Sequence, residues 1–166
     1  MSDPVHAAVT AVERSLTANG VTPRTRWFDE STSTAVEAAG ALGVQLGAIV
    51  KSLLFMLDDE LILILASGAH RVDTELLGEE LGGTLSRASA SAVKQSTGQS
   101  IGGVAPLGHP ETIRTVVDVT LADYDEVWAS AGHPRAVFPT KFDELVRITH
   151  GTPARVVRGE ANDDDR

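Results

Sequence analysis

Lys51 stands in a place where a charge needs a reason. It lies inside Ile49-Val50-Lys51-Ser52-Leu53-Leu54-Phe55-Met56-Leu57, a β-rich run. Alternate residues of a strand share a face, so Ile49, Lys51, Leu53, Phe55 and Leu57 point one way and Val50, Ser52, Leu54 and Met56 the other. Either face is apolar. A lysine there must reach an edge, pair with a carboxylate, or face a cavity where its charge is used. The second chemical feature is Gly98-Gln99-Ser100-Ile101-Gly102-Gly103-Val104-Ala105-Pro106-Leu107-Gly108. Gly102 and Gly103 let a ligand approach the main chain, and Pro106 fixes the loop, so backbone N–H groups held there suit an oxyanion. The third is Gly132-His133-Pro134, where Pro134 restricts His133 to extended geometry and directs a neutral imidazole that is able to hydrogen-bond a substrate. Ser67-Gly68-Ala69-His70-Arg71 forms a similar polar loop, placed to line the same mouth.

Other chemistries are excluded or disfavoured. The chain has no cysteine, which removes disulfides, thiolate metal sites and a cysteine nucleophile. Its histidines, His6, His70, His109, His133 and His150, never recur at the three- or four-residue spacing that pairs ligands on one helix face. No metal site and no cofactor is expected.

The elements that must position these residues are legible from periodicity and caps. Val5, Ala8, Val9, Val12 and Leu16 predict a helix over 4–18, stopped by Asn19-Gly20. A short strand follows at 25–28. Thr34 with Glu37 makes a capping box for a helix over 35–42, ended by Gly43. The runs 49–57 and 61–66, split by Asp58-Asp59-Glu60, predict a hairpin buried on both faces. Asp73 caps a helix through Leu81, and Ser89 caps another through Thr97. Strands are expected over 113–119, 127–131 and 136–138, and a last helix over 141–149, opened by Thr140 and closed by His150-Gly151. Hairpin-like spacing alternating with helices indicates an α+β fold with a mixed or barrel-like sheet.

The 166 residues suffice for one domain, expected over 1–158, with an aliphatic core because aromatics make up only 4%. The chain carries a net charge of −9, and its last eight residues hold four acids against one Arg. That segment, 159–166, reads as a disordered acidic tail. The body is acidic too, which argues against gripping nucleic acid over a long basic surface but leaves room for a small contact at one end of a strand. No secretory signal and no membrane-length apolar run occur, so a cytoplasmic location is expected.

In order, Ile49 to Phe55, the Gly98 to Gly108 loop and the Gly132 turn resemble the YbaK/ProX family, editing domains related to the insertion domain of bacterial prolyl-tRNA synthetase. The resemblance spans roughly residues 30 to 150. It implies a mixed sheet curled into a barrel with helices around it, and hydrolysis in trans of a mischarged aminoacyl-tRNA, a tRNA-Pro carrying a small wrong amino acid, with a synthetase as a further partner. The family lysine maps onto Lys51, and the family Gly-x-x-x-Pro element onto Gly102 and Pro106. On this resemblance Lys51, Gly102 and Gly103 are catalytic, the glycine N–H groups stabilising the oxyanion, while Ser67, His70, Ile101, Pro106 and His133 bind substrate. Gly-His-Pro looks like the alanine-editing branch. The early His-Thr-Ala of relatives is Ser33-Thr34-Ala35 here. Two other classes suit the same residues: a non-catalytic module that binds a nucleotide or tRNA end, and an interaction protein whose acidic surface docks a synthetase.

Overall fold

The computed structural model describes residues 7–99 and 103–157. The elements run α1 (Ala7–Ala18), β1 (Arg26–Trp27), α2 (Ala35–Leu42), β2 (Val50–Leu57), β3 (Glu60–Ser67), α3 (Thr74–Leu81), β4 (Leu85–Arg87), α4 (Ala90–Thr97), β5 (Arg114–Asp118), β6 (Val127–His133), β7 (Ala136–Thr140), α5 (Phe142–Thr149) and β8 (Thr152–Ala154). Two 3-10 turns, Leu46–Ala48 and Val119–Asp123, lead into β2 and out of β5. The predicted opening of the helix at 4–6, Ser100 to Gly102 of the glycine loop and the acidic tail lie outside the described residues.

The strands form two sheets. One is mixed, ordered β4-β2-β3-β5-β8, with the β2–β3 hairpin antiparallel and β5 and β8 added in parallel; the other is the antiparallel set β1-β7-β6. The β2–β3 hairpin is central because its side chains are wanted on both faces. Ile62, Leu63, Ile64, Leu65 and Ala66 of β3 are all fully buried. Leu63 and Leu65 face a core shared with Val12, Leu16, Val117 and Phe138, whereas Ile62, Ile64 and Ala66 face a second core with Phe55, Leu77 and Val116. Each such Leu or Ile side chain contributes about 1.5–3 kcal/mol of burial, so register along β3 is held by two cores at once.

The α+β class is as expected, but among the described residues neither sheet closes into the expected barrel. Among the described residues β6 meets the lead-in of β2 through one isolated parallel bridge, Ile49 to Trp128. Beyond it the two sheets part, and side chains rather than backbone ladders fill the space between them. The pocket described below opens in that gap.

Local boundaries follow hydrogen bonding more than pattern. The capping box is formed as predicted, with the Glu37 N–H donating to Thr34 Oγ1 at 3.1 Å and the Thr34 N–H to Glu37 Oε1 at 3.3 Å. Those hydrogen bonds, first from the Thr34 backbone and then from Ser31, hold the exposed Glu37 carboxyl below its ordinary pKa. The caps at Asp73 and Ser89 also form. At the last helix the N-cap is Lys141, without a side-chain cap bond, and Thr140 instead ends β7 and donates to Glu144 Oε1 at 2.7 Å. β6 runs on through Gly132 to His133, which pairs with Ala136 beyond an irregularity after Ser130. Gly132 takes a φ of +103° there, and a Cβ would press on the Ala8 backbone at 3.1 Å.

Candidate functional site

A pocket of about 190 Å³ opens between the two sheets. Ile49, Val50, Lys51, Ser52 and Leu53 form one wall, Trp128, Ala129 and Ser130 of β6 with Val137 of β7 another, and Thr32 to Ala35 with Ala38 the rim; Val104 closes it from the glycine loop. The rim is positioned by two devices. The capping box fixes Thr34 at the start of α2, and Thr32 donates both its N–H, at 2.7 Å, and its hydroxyl, at 3.1 Å, to the Pro134 carbonyl. Ser33-Thr34-Ala35, noted in the sequence as a departure from a family pattern, thus forms part of the pocket wall.

Lys51 is half-buried, and its ammonium donates to the backbone carbonyl of His70. Burial lowers its pKa below the ordinary lysine value; Arg71 and Arg87 act in the same direction, and Asp118 opposes them. Asp118 is the organising group behind this contact. It is completely buried at the end of β5 and accepts from the Ser67 N–H at 3.0 Å, the Thr120 N–H at 2.9 Å and the Thr120 hydroxyl at 2.8 Å. His70 Nδ1 lies 3.1 Å from Asp118 Oδ2, the fourth partner of the carboxylate. A buried carboxylate needs this degree of satisfaction. The consequence is structural coupling: Asp118 holds the Ser67–His70 loop, and the loop presents its carbonyl to Lys51.

Ser52 adds a different kind of signal. Its Oγ is buried and has no hydrogen-bond partner among the described residues, although Ser52 lines the pocket. An unpaired buried hydroxyl costs about 1–3 kcal/mol unless a ligand takes it. Sequence reading counted Ser52 only as the apolar face opposite Lys51.

The remaining sequence candidates are placed as follows. Lys51 lines the pocket. Ser67 is buried and donates its hydroxyl to the Gly47 carbonyl at 2.8 Å, so it builds the loop. His70 is tied to Asp118 and contributes its carbonyl. Gly103 is buried against the Gly132 turn, where a Cβ would lie 3.2 Å from Pro134 Cδ, and it immediately precedes the wall residue Val104. His133 lies on a separate depression of about 470 Å³ with Lys94, Thr97 and Gln99, and its ring packs 5.1 Å from that of Trp27. Pro106 lies on a third, beside His109 and His150. Ile101 and Gly102 are outside the described residues. Asp118, Ser52 and Trp128 were not read as functional. Asp118 in particular was absorbed into an expected strand, where only its complete burial distinguishes it.

Chemically, the pocket offers one ammonium, several hydroxyls and apolar walls. None of its described lining residues is an Asp, Glu or His. Among the described residues no three His, Cys, Asp or Glu side chains converge as a metal site. No described helix is long and apolar enough to cross a membrane.

The aminoacyl-tRNA editing domain family matches residues 29–148, a span holding the whole pocket, and the chain belongs to that family. YwhH of Bacillus subtilis, an uncharacterized protein, is 34% identical over 106 residues, covering 63% of this chain and 68% of that one. The proline–tRNA ligase of Lysinibacillus sphaericus is 31% identical over 83 residues, covering 49% of this chain but only 15% of the ligase. Among solved structures, a candidate trans-editing enzyme for prolyl tRNA synthetase superposes with a TM-score of 0.86 at 36% identity, covering 92% of this chain and 98% of the other.

Proposed function

We propose that this chain is an aminoacyl-tRNA deacylase that acts in trans, hydrolysing the ester of a tRNA-Pro that carries a small wrong amino acid. The observation that carries this is the pocket itself: one ammonium among apolar walls, in a space of about 190 Å³. Sites for whole drug-sized ligands run to roughly 300–1,000 Å³. This one suits a small aminoacyl group, leaving the nucleotide outside. Membership of the editing family and the likeness to a candidate trans-editing enzyme support the same activity.

An aminoacyl ester is already activated, so its hydrolysis needs a positioned water and a polarised carbonyl more than a protein nucleophile. Lys51, anchored by the His70 carbonyl, orients the ester and the terminal ribose. Backbone N–H groups at Gly102 and Gly103 stabilise the oxyanion, a contribution worth about 2.7–4 kcal/mol per donor. With no carboxylate or imidazole among the described lining residues, the water is activated by the substrate's own neighbouring hydroxyl. Ser52 supplies a hydrogen bond to the aminoacyl group. His133 and the depression beside it contact the tRNA end rather than the acyl group.

The lack of a general base in the described pocket also suits a module that binds the tRNA end without turnover. Incubation with a panel of tRNA-Pro charged with alanine, 2-aminobutyrate, serine, cysteine or proline separates the two. Rapid ester loss for one or more small non-cognate amino acids, with prolyl-tRNA spared, is the expected result; binding without ester loss would establish the module instead.

A further inference from the structure

The protein approaches a polyanion with a net charge of −9, so a cation set against a wall residue of the pocket and not spent on a carboxylate stands out. Arg26 is that cation. It is exposed on the two-residue β1, opposite Val137 of β7, which lines the pocket. Its guanidinium carbon sits 5.1 Å from the ring centre of Phe28 and 5.9 Å from that of Trp128, and Trp128 is itself pocket wall. Two aromatic faces, one of them pocket wall, therefore hold the guanidinium without neutralising it. Among the described residues the ion pairs within 4.0 Å are Arg24 with Glu126, His70 with Asp118 and Arg114 with Glu60; Arg26 takes part in none. Asp29 and Glu30 follow closely in sequence, yet neither pairs with it.

Lys51 is a cation of the pocket lining, committed to the His70 carbonyl; Arg26 is a second cation, exposed against the Trp128 ring of the wall. We propose that Arg26 is the phosphate-binding residue of the site, taking the phosphodiester that precedes the terminal nucleoside of the substrate while the acyl group enters the pocket. This rests on the deacylase function proposed above. The planar guanidinium presents paired N–H donors that match two phosphate oxygens, and stacking on aromatic faces leaves its edge free for them. The role is positional: the group one nucleoside away from the ester is fixed, and the ester is thereby carried to Lys51.

Three proteins, wild type, Arg26→Ala and Arg26→Lys, test this with two readouts. The first is binding of an uncharged single-stranded oligonucleotide ending in CCA, followed by fluorescence anisotropy over a salt series, with adenosine as the phosphate-free comparison. Arg26→Ala is expected to weaken oligonucleotide binding about tenfold, as loss of one charge-assisted contact should, and to reduce the salt slope by about 0.7. Adenosine binding stays unchanged, and Arg26→Lys recovers part of the loss. The second readout is hydrolysis of a mischarged tRNA against the same amino acid esterified to free adenosine. Arg26→Ala should raise KM for the tRNA alone, with kcat kept. Equal loss on both substrates, equal oligonucleotide binding by wild type and Arg26→Ala, or no oligonucleotide binding by wild type would each overturn the assignment. Oligonucleotide binding that depends on Arg26, with no turnover of either ester, would uphold the phosphate site and refute the deacylase function.

Discussion

At the scale of single residues, the proposed chemistry depends on keeping Lys51 charged where burial works against it. Lys51→Ala should abolish ester hydrolysis while circular dichroism and cooperative unfolding remain those of wild type, because the side chain lines a cavity and packs no core; retained activity would make Lys51 structural. Asp118 provides a sharper test through pH. If the Lys51 ammonium is the active form, kcat/KM falls as pH rises through a pKa already pulled down by burial and by Arg71 and Arg87. Asp118 is the opposing negative charge, so Asp118→Asn should move that alkaline limb to lower pH. A loss of activity with the limb unmoved would limit Asp118 to holding the loop. Lys51 was legible from the sequence because an ammonium between apolar alternates has few places to go. Ser52 and Asp118 were not, since a serine in a strand and an aspartate at a strand end are ordinary until their burial and partners are seen.

At the scale of elements, the site depends on close approaches that only small residues permit. Gly68 follows β3, donates its N–H to the Ile49 carbonyl at 2.7 Å, and has no room for a side chain, since a Cβ would lie 2.5 Å from the Leu46 carbonyl oxygen. Backbone cannot swing aside as a side-chain end does. Gly68→Ala is expected to destabilise the protein by about 1–3 kcal/mol, measured by urea unfolding; an unchanged midpoint would mean the β2 lead-in yields easily. Gly103 is a milder case, with its nearest neighbour at 3.2 Å. Gly103→Ala should keep the protein folded and lower kcat and kcat/KM together, the pattern of an interaction made only in the transition state. An increase in KM alone would make the loop a binding surface. Periodicity and caps located the helices and the central hairpin because those signals are local. The strands Leu85–Arg87 and Thr152–Ala154 carry no local pattern: they are three residues each and exist because they hydrogen-bond to β2 and β5. The barrel expectation failed for a related reason, since closure is decided by whether distant strands meet along a ladder, and among the described residues the two sheets meet at one bridge.

At the scale of the whole molecule, an acidic chain whose pocket lining carries one lysine suits the proposed contact with only the end of a nucleic acid. Its stability should also depend on pH through His109, whose pKa burial holds below the ordinary histidine value, although Nε2 lies 2.7 Å from the Ala105 carbonyl. The unfolded chain then takes up the proton first, so this contribution is intact above about pH 6.5 and is lost as pH falls from there through the folded-state pKa. His109→Gln should flatten that acid-side loss in thermal unfolding; an unchanged slope would assign it to other groups. The central claim, that the pocket between the two sheets removes a small wrong amino acid from tRNA, is tested most directly by single-turnover ester loss. Wild type and Lys51→Ala are each mixed in excess with alanyl-tRNA-Pro and prolyl-tRNA-Pro. The prediction is fast loss of alanine by wild type, no acceleration by Lys51→Ala, and prolyl-tRNA left at its spontaneous rate. Equal rates for wild type and Lys51→Ala, or wild-type loss of proline as fast as alanine, would contradict it.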